Sequence, residues 1–144
     1  MTAMKTARMT GGAAMVEGLL RNGVDTLFAL PGVQLNHFFD AVYDKRNAIR
    51  VLNARHEQGA AYMAFGYAIA TGRVGAFAVV PGPGILNTTA ALSTAYGCSQ
   101  PVLALTGQIN AAAIDRGYGL LHEIRDQPGT LASVNKWVHR IDHP

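Results

Sequence analysis

Residues 50–72 read RVLNARHEQGAAYMAFGYAIATG, and this stretch decides the fold. Arg50 to Ala54 is short and apolar enough for a buried strand. His56 to Thr71 is the best helix in the chain, and Gly72 stops it. Ala60, Ala61, Ala64 and Ala68 lie on the helix faces, so a neighbouring element can approach closely. A strand thus runs into a helix through Arg55-His56-Glu57-Gln58.

The same unit repeats on both sides. Upstream, Thr26 to Leu30 is a strand candidate ended by Pro31-Gly32. Gln34 to Tyr43 is an amphipathic helix with Leu35, Phe38, Phe39 and Val42 on neighbouring positions. Before it, Thr10 is an N-cap for a helix through Ala13 to Leu20, and Asn22-Gly23 is its stop. Downstream come a strand at Gly75 to Val80, the rigid turn Pro81-Gly82-Pro83-Gly84, a helix at Asn87 to Cys98 and a strand at Val102 to Thr106. Ile109 to Asp126 reads as a loop with some helix, Pro128 to Val134 as a short helix, and Lys136 to Ile141 as a last strand. The strands are apolar throughout rather than alternating, which is the pattern of a parallel sheet covered on both faces. In such a sheet the strand-to-helix loops gather at one edge, where ligands bind.

Composition narrows the function. The chain has 144 residues, 49% hydrophobic and 15% charged. Two readings of that low charge stand: a compact alanine-rich domain, or the favoured one, a domain that packs against partners or sister domains. The net charge is +3 with scattered Lys and Arg, and no basic patch of the kind a nucleic-acid groove needs. Cys98 is the single cysteine, so it makes neither an intrachain disulfide nor a zinc cluster. Its apolar surroundings suggest a buried structural thiol, consistent with a reducing cytoplasm. The five histidines show no metal-ligand spacing. The first twenty residues make a poor signal peptide, because Glu17 interrupts the apolar stretch, and no apolar run is long enough to span a bilayer. A soluble cytoplasmic protein is expected.

Pro31-Gly32, the Glu57 loop and Pro81 to Gly84 all follow strands, so a parallel sheet brings them to one edge. Glu57 has a bland explanation, since an acid in a first helical turn gains about 0.3–1 kcal/mol from the dipole. Its neighbours Ala54, Gly59, Ala60 and Ala61 are small and apolar, however. They point to a partly desolvated carboxyl, able to share a proton with a ligand. The Pro-Gly-Pro-Gly loop fits neither a dinucleotide fingerprint nor a phosphate-binding loop with its Gly-Lys-Ser/Thr ending. It is either a tight turn or a rigid shelf where Gly82 and Gly84 let backbone approach a flat ring.

Arg55-His56-Glu57-Gln58-Gly59-Ala60-Ala61, with Met63-Ala64, Gly66-Tyr67-Ala68 and Thr71-Gly72, resembles the hallmark helix of acetolactate synthase-like enzymes. Gly82-Pro83-Gly84 with Asn87 resembles that family's Gly-Pro-Gly-x-x-Asn loop. Phe28 to Gly32 and Pro101-Val102 with Leu105-Thr106-Gly107-Gln108 are similar to its first strand and to the strand and turn after that loop. The order and spacing hold from about Gly23 to Gln108, with a looser fit through His122-Glu123 and Lys136-Trp137. The resemblance implies that residues 1–144 are a single thiamine-diphosphate-binding Pyr domain, the N-terminal fragment of a longer enzyme. The implied fold is three-layer α/β/α with a mostly parallel sheet of about six strands.

The resemblance also implies chemistry. The residue matching Glu57 hydrogen-bonds N1′ of the aminopyrimidine and favours the imino form, whose nitrogen takes the proton from thiazolium C2. The activated carbon attacks a 2-keto acid, and carbon dioxide leaves. Pro31 and Gly32 line the ring's edge, Pro83 and Asn87 hold it, and Gln108 lies near the reacting centre. His122 falls where related synthases carry a polar residue by the substrate; an exposed loop histidine is an equal reading. The Mg2+ site belongs to a diphosphate-binding domain marked by Gly-Asp-Gly, which this chain lacks. That domain comes from another subunit, so a homodimer or tetramer is implied and the isolated fragment is expected to be inactive. A flavin in a middle domain is open. Two departures leave the substrate open: Val80-Pro81 stands where a small hydroxyl residue is common, and Leu30 where synthases often have an aromatic. A 2-keto acid decarboxylase, with this chain as its Pyr subunit or domain, is the nearest rival. A non-catalytic assembly module is the rival of another class.

Overall fold

Gly75–Val79 (β3) is buried along its whole length, and the rest of the protein is arranged around it. In the computed structural model, which describes residues 8–142, Thr26–Leu30 (β1) pairs with Arg50–Asn53 (β2) on one side and with β3 on the other, and Val102–Thr106 (β4) pairs with β3. All these pairings are parallel, in the order β2-β1-β3-β4. The chain goes from β1 outward to β2, then returns past β1 to β3. The direction of winding therefore reverses between β1 and β3, and the loops leaving those strands diverge around a crevice at the carboxyl edge.

Neighbouring strand residues face opposite ways, and each face has its own core. Leu27, Ala76 and Ala78 meet Val16 and Leu19 of Gly11–Arg21 (α1) and Phe38, Ala41 and Val42 of Asn36–Asp44 (α2). Phe28, Phe77 and Val79 meet Ala60, Ala61 and Ala64 of Glu57–Thr71 (α3), and Ala91 and Leu92 of Thr89–Gly97 (α5). The three layers and the parallel sheet agree with the sequence reading. Where α3 passes over β3 the approach is so close that a Cβ on Gly75 would meet the Ala64 carbonyl. Alanines on one element and glycine on the other make that spacing possible.

The helix ends follow their chemistry. Thr10 Oγ1 accepts from the Ala13 amide at 3.1 Å, and α1 closes through Asn22 to Gly23 at φ +75°. His56 is the N-cap of α3 rather than its first residue: Nδ1 accepts from the Gln58 amide at 3.1 Å. Gly72 ends the helix at φ +66°. Before α2, Val33–Leu35 forms a single 3-10 turn.

Several expectations need correction. Four strands form among the described residues rather than about six. Lys136 to Ile141 makes no strand. Val138 packs against the α3/α5 core while Trp137 and His139 stack on each other, with Trp137 74% exposed. One side chain of the segment turns inward, without a ladder. The helix expected at Asn87 to Cys98 forms as α5, and ahead of it the expected turn runs into a short helix, Pro83–Leu86 (α4), with proline at its start. The break lies at buried Thr88, whose hydroxyl donates to the Ile85 carbonyl at 2.7 Å. Gln127–Ala132 (α6) replaces the helix expected at Pro128 to Val134. Cys98 is exposed at the end of α5, not buried. Residues 1–7, part of the stretch weighed as a leader, and 143–144 lie outside the described residues. Among the described residues no helix is long and apolar enough to cross a membrane.

Candidate cofactor site

The loops after β1, β2 and β3 meet at the carboxyl edge, and Glu57 stands among them in the first turn of α3. Its side chain is half-buried. Oε2 accepts a hydrogen bond from Asn87 Nδ2 at 3.0 Å, across the break between α4 and α5. Oε1 has no hydrogen-bond donor among the described residues and faces Gly84, where an added Cβ would lie 3.7 Å away. One carboxylate oxygen is therefore held, and the other is open over a backbone surface without a side chain.

Val80 shapes that surface. An added Cβ at Gly32 would collide with its Cγ1, and one at Gly84 would lie 2.5 Å from its Cγ2. The branched side chain fills the space that two glycines leave, which ties the loop after β1 to the loop after β3. Pro81 behind it is fully buried. Gly82 has φ +58°, and an added Cβ would meet the backbone of His122. Pro31, Pro83 and Asn87 are exposed and Gly32 is half-buried, so a ligand reaches the shelf they form. The stretches from Gln58 to Gly72 and from Pro81 to Ile114 contain no Asp, Glu, Lys or Arg. Those segments meet Glu57 with uncharged groups.

The remaining sequence-predicted residues stand differently. Gln108 is half-buried, but its Oε1 accepts from the Ile109 amide at 2.8 Å, turning back on its own chain. Among the described residues no hydrogen bond joins it to Glu57. His122 is half-buried rather than an exposed loop residue. Its Nδ1 lies 3.0 Å from Gln34 Oε1, and Gln34 Nε2 donates to the Leu121 carbonyl at 3.3 Å.

Sequence reasoning missed Gln34 and Gln127. Gln127 is 6% exposed; Oε1 accepts from the Gly82 amide at 3.2 Å, and Nε2 donates to the Gly107 carbonyl at 3.0 Å. One buried amide thereby bolts the loop after β3 to the loop after β4. Nothing in the local sequence marks it. Gln34 follows Pro31-Gly32 closely, and a polar residue so near a ligand loop was a usable signal.

A separate groove lies elsewhere on the molecule. It has about 880 Å3, runs along the outer edge of β2 between Arg46, Arg50 and Asp25, and takes in Pro31 but none of Glu57, Gly84 or Asn87. Its lining holds no acid with a free oxygen over a flat backbone surface, and the chemistry favours the Glu57 shelf.

A half-held carboxylate beside glycine backbone fits a planar, basic nitrogen heterocycle, and residues 9–130 match the family described as thiamine pyrophosphate enzyme, N-terminal TPP binding domain. The chain belongs to that family. It is 38% identical over 126 residues to a probable 2-ketoarginine decarboxylase, AruI, of Pseudomonas aeruginosa, covering 88% of this chain and 22% of that protein. It is 43% identical over 109 residues to an acetolactate synthase of Arthrospira platensis, covering 74% of this chain and 19% of that protein. Over 106 residues it is 42% identical to the acetolactate synthase isozyme 2 large subunit of Escherichia coli K12, covering 74% and 19%. The chain thus spans about a fifth of the length of the curated relatives it matches.

Proposed function

We propose that residues 1–144 are one pyrimidine-binding domain, the N-terminal part of a larger thiamine-diphosphate enzyme that decarboxylates 2-keto acids and joins the product to a second carbonyl compound. The observation that carries this reading is Glu57, with Oε2 held by Asn87 and Oε1 open above Gly84. Oε1 would meet the ring nitrogen N1′ and would hold or pass a proton there. Asn87 fixes the carboxyl's rotation so that the exchange happens at one oxygen. Pro31 and Gly32 would line the ring's edge, and Pro83 and Asn87 would help hold it. Gln108 and His122 belong to the substrate side. Thiamine diphosphate, when bound, supplies a carbon acid that adds to a keto carbon and holds the electrons released with carbon dioxide.

The diphosphate and its Mg2+ sit on another domain, contributed by a second subunit in a homodimer or tetramer. The outer face of α3, with Tyr62, Met63 and Ile69 exposed and no charge from Gln58 to Gly72, supports such packing. A cytoplasmic location accords with Cys98 standing as a free thiol.

The test is Glu57→Gln in the intact enzyme. Glutamine keeps a hydrogen bond but cannot pass the proton, so exchange of the cofactor's C2 proton should fall about a hundredfold or more. Circular dichroism should stay native. Unchanged exchange would reduce Glu57 to a helix-start acid and leave a non-catalytic module. A second reading, a 2-keto acid decarboxylase, is favoured by the similarity to the relative named as a decarboxylase over 88% of this chain. Pyruvate turnover separates the two: acetolactate supports the synthase, and acetaldehyde alone the decarboxylase.

A further inference from the structure

We infer that Gln34 is a positioning residue that locks His122 as the Nδ1–H tautomer, so that every proton His122 gains or loses passes through Nε2. This rests on the functional reading above. Each neighbour of Gln34 limits how its amide can be oriented. The Leu121 carbonyl only accepts, so the Gln34 amide nitrogen must face it, at 3.3 Å. The opposite atom of that amide, Oε1, then faces His122 Nδ1 at 3.0 Å. An amide oxygen only accepts, so Nδ1 must carry the hydrogen. Nδ1–H donates to Gln34 whether the ring is neutral or cationic. The neutral ring has its lone pair on Nε2; adding a proton there makes the cation, and losing it restores the base.

The surrounding chain holds this arrangement at several points. His122 adopts φ +68°, a left-handed conformation that non-glycine residues rarely take. The turn around it is closed by the Glu123 amide donating to the Leu120 carbonyl at 2.8 Å and by Glu123 Oε2 accepting from the Leu120 amide at 2.7 Å. That turn aims both the Leu121 carbonyl and the His122 ring at the same glutamine. The His122 backbone rests on Gly82, where any Cβ would displace it. On its other side Gln34 packs on Gly107, where an added Cβ would come within 3.0 Å of the Gln34 Cβ. Nε2 has no hydrogen-bond partner among the described residues. A substrate group meeting it is therefore either a hydroxyl that gives up its proton, or a carboxylate or oxyanion that accepts from the cation. A fixed partner on one imidazole nitrogen is the usual way to assign the chemistry of the other.

Nitrogen NMR of the intact enzyme labelled in its histidine rings tests this, with His122 identified by subtracting the His122→Asn spectrum. In the neutral ring, Nδ1 should give the pyrrole-type signal and Nε2 the pyridine-type signal; the reverse pattern overturns the inference. Gln34→Leu should mix the two tautomers and lower kcat about tenfold, with KM little changed. Gln34→Glu keeps an acceptor and should restore the single pattern; failure to do so also counts against the inference. Exchange of the cofactor's C2 proton should be native in both Gln34 variants, which shows that they fold. That exchange depends on Glu57, so its loss in Glu57→Gln and the histidine pattern succeed or fail separately.

Discussion

The two faces of the sheet are filled with different material. Against α1 and α2 the filling is bulky: Val16, Leu19, Leu35, Phe38 and Val42. Against α3 and α5 the helices contribute chiefly alanine: Ala60, Ala61, Ala64, Ala91 and Ala95. Ion pairs follow the same division. Lys45 of α2's C-cap pairs with Glu17 of α1, whereas α3 beyond its first residue and α5 carry no charge. Large side chains hold helices at a distance and gain burial free energy. Small ones gain less but let backbone rest on backbone, which fixes position. The carboxylate that defines the site begins the helix of the small-residue face. The bulky face supplies stability, and the small-residue face supplies placement.

That division is open to attack by changing volume on each face. Phe38→Ala should cost the most stability, about 3–5 kcal/mol in urea unfolding, while C2 proton exchange of the folded enzyme stays near native. Ala64→Leu should cost less, about 1–3 kcal/mol, because added atoms push α3 from β3. It should nevertheless slow C2 exchange more than Phe38→Ala does, since Glu57 moves with α3. Equal effects of the two variants on exchange would break the comparison. The smallest effect should come from Asp25→Asn, remote from the carboxyl edge. The Arg73 hydrogen bond at 2.8 Å, followed by that of Thr26, holds the Asp25 carboxyl below its ordinary value. A depressed carboxyl contributes stability above its unfolded pKa and loses it as pH falls through the folded value. The melting temperature of Asp25→Asn should therefore sit slightly below native near neutral pH and converge with it in acid. Both side chains are about half exposed, so added salt should shrink the difference further.

Much of the small-residue face was legible beforehand. Ala60, Ala61, Ala64 and Ala68 recur at helical spacing, Gly72 stops the run, and Glu57 falls where strand becomes helix. Those are local facts, and sequence carries local facts well. The bolts between loops were not legible. Gln127 joins residues 45 and 20 positions away, and Gln34 reaches His122 across 88. No periodicity encodes a partner so distant. Lys136 to Ile141 differs for a related reason: a segment's own residues do not say whether a neighbouring backbone lies within reach, and a strand needs one. Cys98 misled because an apolar sequence neighbourhood was taken for a buried position, while the end of α5 leaves that residue at the surface.

The outer border of β4 has a consequence for how such a chain behaves in concentrated solution. From Val102 to Thr106 it offers uncharged, half-buried residues, and among the described residues its far side pairs with nothing. Sheets that avoid sticking usually break such a border with a lysine, a bulge or a proline within the strand. Here the row of amides is a template for any extended peptide that drifts past, and association through it is directional and hard to reverse. Whatever lies along that row therefore bears on how this chain associates, alongside its net charge.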